Sequence, residues 1–170
     1  MIRVFENPHA RAPTRPESWR TLQATLPVPE KRCLRVVPGS MAVSAIRVLL
    51  VDDDASFLES LEALLASDQR LEIVGKALSG AEALEIAAAN EPDVVVVDVR
   101  MPGMSGIECG RLLRERDPHS RVILISGSIF DDQRPDLAES RASAYLAKSE
   151  VTARLHATLV AVMAEPQARG

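Results

Sequence analysis

Aromatic side chains are scarce in this sequence, with one tryptophan, one tyrosine and three phenylalanines among 170 residues. A platform that stacks single-stranded nucleic acid needs several, so that class of binder is disfavoured and the core has to be aliphatic. Cysteine is equally rare. Cys33 and Cys109 are too few for a disulfide framework and neither belongs to a metal-spaced pair, which fits reduced thiols in the cytoplasm. Basic charge is short where a fold is expected. Residues 1–45 carry seven Lys/Arg against three Asp/Glu, whereas residues 46–170 carry thirteen against twenty-one, making the larger part a poor nonspecific partner for nucleic acid. No apolar run approaches the roughly 20 residues of a membrane span, and the N-terminus lacks the apolar centre of a secretion signal.

Aliphatic residues, by contrast, are plentiful, and hydrophobic residues make up 46% of the chain. They are not spread evenly. Residues 1–45 show no sustained periodicity, six prolines (Pro8, Pro13, Pro16, Pro27, Pro29, Pro38) and scattered arginines, so a disordered or weakly ordered extension is expected. It is either a basic arm or, with Met41 as the true initiator, an over-extended start; the strand that begins soon after Met41 favours the second. One domain is expected over 46–164, with 165–170 as a tail.

The stretch that organises this domain is Asp93-Val94-Val95-Val96-Val97-Asp98-Val99-Arg100-Met101-Pro102-Gly103-Met104-Ser105-Gly106. Four consecutive valines have the length and composition of a strand buried on both faces. Asp98 then falls at the strand's carboxyl end, where open α/β sheets place their ligands. Ser105 with Glu108 forms a capping box that opens a helix, with Leu112 and Leu113 inward and Asp117-Pro118 as its stop.

The remaining elements follow in order. Ile46–Val51 predicts a strand, followed by Asp52, Asp53 and Asp54; Asp54 caps a helix over 55–67 whose apolar stripe is Phe57, Leu58, Leu61, Leu64 and Leu65. Leu71–Val74 predicts a short strand, and Ser79 with Glu82 a capping box for an Ala-rich helix to about Ala89. Arg121–Ile125 is a fourth strand ending at Ser126-Gly127-Ser128. Pro135 suits the first turn of a short helix to Ser140, Ala142–Ala147 is a fifth strand, and Ser149 caps a last helix with Val151, Leu155, Leu159 and Val162 on one face, closed by Pro166. Strand and helix alternating five times predict a doubly wound α/β fold, five parallel strands in the order 2-1-3-4-5.

In that arrangement Asp52, Asp53, Asp98, Ser126 and Lys148 share one rim. The successive acids Asp52, Asp53 and Asp54 at a strand end in the sheet's crevice repel one another unless a cation neutralises them, and Mg²⁺ takes one or two carboxylates, waters and phosphate oxygens. A carboxylate nucleophile there can accept a phosphoryl group as an acyl phosphate while Lys148 offsets charge on its oxygens. His9, His119 and His156 lie on different elements and none is assigned as ligand or base. Arg111, Arg114, Arg116 and Arg121 read as a solvated face.

Val48-Leu49-Leu50-Val51-Asp52-Asp53, Val97-Asp98-Val99-Arg100-Met101-Pro102-Gly103-Met104-Ser105-Gly106, Ile125-Ser126-Gly127 and Tyr145-Leu146-Ala147-Lys148 together resemble the receiver domain of two-component response regulators. The Leu146-Ala147-Lys148-Ser149 ending is closest to the NarL/LuxR-type subfamily. The resemblance implies a CheY-like fold with Asp98 phosphorylated by a histidine kinase or phosphotransfer protein. Mg²⁺ would be held by Asp52, Asp53, Asp98 and the backbone carbonyl of Arg100. Ser126 and Lys148 would each bond a phosphoryl oxygen, and Tyr145 would turn inward as the switch when Ser126 moves. Gly127 fits a site needing access for a phosphodonor or water. Ser149 stands where many receivers have proline and Arg141 where glycine is usual, and Pro135 interrupts the fourth helix; these departures bear on switching rather than on phosphorylation.

Three functions use these residues. A stand-alone switch in the cytoplasm would bind a downstream protein, without nucleic acid, membrane or enzymatic turnover beyond self-catalysed phosphotransfer and dephosphorylation. The second is the receiver part of a transcription regulator whose helix-turn-helix domain lies outside these residues. A small-molecule phosphotransferase is a third, but no substrate-pocket element is legible. The absence of a basic recognition helix in the sequence favours the first.

Overall fold

A computed structural model describes residues 45–127 and 142–164. The expectations for residues 1–44, the 135–140 helix, Arg141, Pro166 and the tail fall outside them. Five parallel strands, β1 (Ile46–Val51), β2 (Leu71–Ala77), β3 (Val94–Asp98), β4 (Arg121–Ser126) and β5 (Ala144–Ala147), form a sheet of order β2-β1-β3-β4-β5. The helices are α1 (Ala55–Leu65), α2 (Gly80–Asn90), α3 (Gly106–Arg116) and α4 (Val151–Ala164).

Alternation along the strands divides the core in two. Val48, Leu50, Val94, Val96, Ile123, Ile125 and Leu146 point to one face, under Leu58, Leu61 and Leu65 of α1 and Val151, Leu155, Leu159 and Val162 of α4. Leu49, Val51, Val95, Val97, Val122 and Leu124 point to the other, against Ala83 of α2 and Cys109 and Leu113 of α3. Each fully buried aliphatic side chain contributes roughly 1.5–3 kcal/mol, which is how β3 holds its terminal acid at a fixed place.

Three helix starts are fixed by side-chain caps. Asp54 Oδ1 accepts from the backbone N–H groups of Ser56 (2.9 Å) and Phe57 (3.2 Å), Ser79 Oγ from Glu82 N (3.3 Å), and Ser105 Oγ from Glu108 N (3.2 Å). In the second box Glu82 Oε2 accepts from Leu78 N, one residue ahead of the expected cap. The fourth start differs from expectation. Lys148–Glu150 form a 3₁₀ turn that runs directly into α4, and exposed Ser149 lies inside that turn instead of capping the helix.

Other boundaries shift for physical reasons. β2 continues three residues past Val74, because the register slips between Val48 and Leu49 and the strand passes through Gly75. A Cβ on Gly75 would lie 2.5 Å from Ile86 Cγ2, so here glycine marks the close approach of α2 and not a strand end. Helix α1 stops at Leu65, α2 runs to Asn90 before Glu91 turns left-handed (φ 43°), and β5 starts at Ala144 instead of Ala142. Leu112 is half-buried beside the buried Leu113. Arg121 belongs to no solvated face: it occupies the first position of β4 and is buried.

The amino-end edge of the sheet is braced by polar pairs. Asp93 Oδ2 accepts from Arg47 N (2.9 Å), and the Arg47 guanidinium donates to Asn90 O (2.7 Å). Asp68, at the entry to β2, pairs with Arg70 and with His156 Nε2 of α4; these bonds hold its carboxyl well below the usual carboxylate range. This acid and histidine, both outside the rim, thus have structural partners.

Candidate functional site

The opposite edge gathers the residues singled out by sequence. β1 ends into Asp52, which is wholly buried, and Asp53, which is exposed. β3 ends at Asp98 (5% exposed), β4 at buried Ser126, and β5 leads into Lys148. The parallel register makes them neighbours: Val51 pairs with Val97, Asp98 with Ile125, and Ser126 with Ala147.

Lys148 Nζ lies 2.6 Å from Asp52 Oδ2 and 3.1 Å from Asp98 Oδ2. Asp52 Oδ1 accepts from Asp54 N (3.0 Å), which fixes its carboxylate plane. Burial pushes the Asp98 carboxyl up; Lys148 opposes that shift and the Asp52 charge adds to it. Burial alone would lower the Lys148 ammonium, but bonding and charge from Asp52 and Asp98 outweigh it and move it upward. Three acids against one ammonium leave this cluster negative.

The donor set fits a hard divalent cation. One oxygen each from Asp52, Asp53 and Asp98 lies within 4.8 Å of the others. Asp98 Oδ1 is buried and makes no hydrogen bond, and the buried Asp52 Oδ2 is met only by the Lys148 ammonium, so lone pairs on two of the three acids remain to be neutralised. All-oxygen ligands with one exposed member suit Mg²⁺ with several waters. We expect Mg²⁺ at ten times its Kd to stabilise the fold by about 1.4 kcal/mol and raise the melting temperature by a few degrees. Chelation should reverse the rise. Asp53→Ala, at an exposed position, should melt within about 0.5 kcal/mol of wild type yet lose the response, as differential scanning fluorimetry would read.

Two further rim residues sit apart from the ion cluster. Gly127 is exposed, and among the described residues a Cβ there would meet only Arg100 Nη2, at 3.4 Å. Tyr145 is 38% exposed on β5 and is not a core tyrosine. Cys109 is buried and free, its thiol pushed up to about 12 by burial, and takes no part at the rim.

Sequence reading missed two contributors. Phe57 reads from the sequence only as part of the α1 core stripe, yet its ring centroid lies 4.4 Å from Lys148 Nζ. Gly106 reads from the sequence as the end of a motif of the resemblance and carries no packing role there, yet it lets α3 approach β3: a Cβ there would lie 1.9 Å from the Asp98 carbonyl oxygen. Helical spacing carries no signal for the first; Ser-Gly at a helix start carries a weak one for the second.

A doubly wound sheet of this strand order, with three acids and a lysine at its carboxyl-end rim, defines the receiver class. Residues 48–160 match the family model for the response regulator receiver domain, and the chain belongs to that family. It is 33% identical over 110 residues to the transcriptional regulatory protein LiaR of Bacillus subtilis, covering 65% of this chain and 52% of LiaR. It is 39% identical over 103 residues to the DNA-binding transcriptional activator DevR/DosR of Mycobacterium tuberculosis, covering 61% and 48%. The chain thus spans about half the length of these relatives. Among solved structures, the receiver domain of the putative response regulator NarL from M. tuberculosis superposes with a TM-score of 0.65 at 30% identity, over 72% of this chain and 99% of that one. Receiver domains are signalling domains that bind Mg²⁺ at an acidic pocket, the place the Asp52, Asp53 and Asp98 cluster occupies. Among the described residues no helix is long and apolar enough to cross a membrane.

Proposed function

We propose that this protein is a phosphorylation switch whose Asp98 accepts a phosphoryl group from a histidine kinase or phosphotransfer protein and whose output is a surface that binds a partner protein. The observation that carries this is the Lys148 ammonium lodged between Asp52 and Asp98, beside a buried Asp98 oxygen with no hydrogen-bond partner. A carboxylate oxygen of Asp98 attacks the phosphorus of a phosphohistidine; the P–O bond forms as the P–N bond breaks, and the departing imidazole takes up a proton from solvent. Mg²⁺ held by Asp52, Asp53, Asp98 and the Arg100 carbonyl would offset charge on the phosphoryl oxygens.

The chain's own groups do the rest. Lys148 exchanges a carboxylate partner for a phosphoryl oxygen, and Ser126, buried at the end of β4, donates its hydroxyl to another. That bond draws Ser126 toward Asp98 and frees room for Tyr145, now 38% exposed, to turn inward. The test is incubation with acetyl phosphate and Mg²⁺, read by mass spectrometry. One added phosphoryl group, removed by hydroxylamine as an acyl phosphate must be, supports the proposal; no addition to folded, Mg²⁺-loaded protein would refute it.

A second reading rests on the relatives. LiaR is named a transcriptional regulatory protein and DevR/DosR a DNA-binding activator, and each is matched over about half its length. These residues would then be the receiver of a transcription regulator. Pull-down with phosphorylated protein separates the two: a partner protein supports the first reading, and recovery of operator-like DNA by the native gene product supports the second.

A further inference from the structure

The Lys148 ammonium is held from three directions, and only two of them are charged. Asp52 Oδ2 and Asp98 Oδ2 lie at 2.6 and 3.1 Å, and the Phe57 ring covers another side with its centroid at 4.4 Å. Phe57 is itself fixed. Its backbone N–H is one of the two that cap α1 on Asp54, and its half-buried ring packs against the aliphatic cluster of that sheet face. The cap that follows Asp52 and Asp53 therefore sets the metal-facing acids and the ring in one turn of chain.

The two kinds of holding respond differently when the site fills. Hard divalent cations take oxygen ligands, so a cation at the rim competes with Lys148 for the same carboxylate oxygens, and a phosphoryl group on Asp98 removes one of them altogether. The face of a phenyl ring offers such a cation no oxygen. It still attracts an ammonium through its quadrupole, more strongly where water is partly excluded, and the Lys148 side chain is only 27% exposed. A flexible four-carbon stem that lost both carboxylates would otherwise swing into solvent.

We infer that Phe57 is a positioning residue: its ring keeps the Lys148 ammonium over the rim once the carboxylates are claimed, so that the charge is already in place for the transferred phosphoryl oxygens. The inference rests on the reading of Asp98 as phosphoacceptor. Its energetic logic is preorganisation, since a charge that need not be re-recruited acts fully at the moment of transfer.

The test separates ring electronics from ring bulk. Phe57 is replaced by 3,4,5-trifluorophenylalanine, which keeps the shape and weakens the quadrupole, and in separate variants by Leu and Trp. The chain has three lysines, Lys31, Lys76 and Lys148, so ¹³Cε-lysine labelling gives a simple spectrum assigned with Lys148→Arg. In wild type the Lys148 Cε–H signal should be shifted upfield by the ring both without and with Mg²⁺, and Phe57→Leu should return it to the ordinary position. Phosphorylation by acetyl phosphate should slow by about three- to ten-fold in the fluorinated protein at an unchanged melting temperature, with the Trp variant at or above wild type. Loss of the upfield shift on Mg²⁺ addition, or a fluorinated variant that reacts at the wild-type rate, overturns the inference. If wild type takes no phosphoryl group, or Asp98→Asn takes one, the phosphoacceptor reading fails instead; the Lys148 shift in Mg²⁺ then decides the Phe57 inference alone.

Discussion

Asp98→Asn is expected to abolish phosphoryl incorporation from acetyl phosphate or a phosphorylated kinase while leaving a protein that melts at or above wild type in Mg²⁺-free buffer. The amide keeps the shape and removes both the nucleophilic charge and its burial cost. Burial holds the Asp98 carboxyl above its ordinary value, so the folded state binds that proton more tightly than the unfolded chain does. Stability from this group is therefore greatest below the ordinary carboxylate value of 3.8 and is lost as pH rises through the raised folded value. The variant's advantage should grow across that window and stay level above it. Lys148 has Asp52 at 2.6 Å as a second partner, which limits the disturbance. Urea titrations at several pH values, alongside mass spectrometry of the acetyl phosphate reaction, check both halves. Persistent modification of Asp98→Asn would remove Asp98 from its proposed role.

Gly106→Ala should have the larger effect on the fold itself. The added Cβ would stand 1.9 Å from the Asp98 carbonyl oxygen, 2.7 Å from its carbon and 3.0 Å from Val99 Cα, all backbone atoms with no rotamer to yield. Overpacking ordinarily costs about 1–3 kcal/mol, and relief here requires moving the start of α3 or the end of β3. We expect a loss of about 3 kcal/mol or more, a fall in melting temperature of roughly 10 °C, and phosphorylation impaired even in the fraction that remains folded. Gly127→Ala is the control. Among the described residues its Cβ would meet only the tip of Arg100, at 3.4 Å, so it should melt near wild type. Equal melting temperatures for the two variants would show that α3 does not bear on β3 as described.

Much of this architecture could be read from the amino-acid order because local and tertiary demands agree. β1, β3 and β4 are runs of Val, Leu and Ile buried on both faces, and such runs have few other places to go in a chain of this length. Because parallel strands align their carboxyl ends, recognising the strands also placed Asp52, Asp53, Asp98, Ser126 and Lys148 on one rim. What escaped lies where one residue type serves two purposes. Gly75 has the composition of a breaker but lets Ile86 approach, so the residue pattern alone ends β2 too soon. Phe57 shares the helical period of Leu58, Leu61 and Leu65, and periodicity cannot tell a ring over an ammonium from one in the core. Arg121 carries a charge, which argues for solvent, whereas its place at the start of β4 buries it. Ser149 has a capping side chain, but the 3₁₀ turn carries the chain into α4 without it.

Tyr145 is the chain's only tyrosine and stands partly exposed on the strand that delivers Lys148. Nature has thereby installed a single built-in optical label close in the chain to the ammonium. In a Trp19→Phe background every tyrosine photon would come from that one ring, so quenching by iodide before and after acetyl phosphate treatment would follow its excursion in real time without any attached dye.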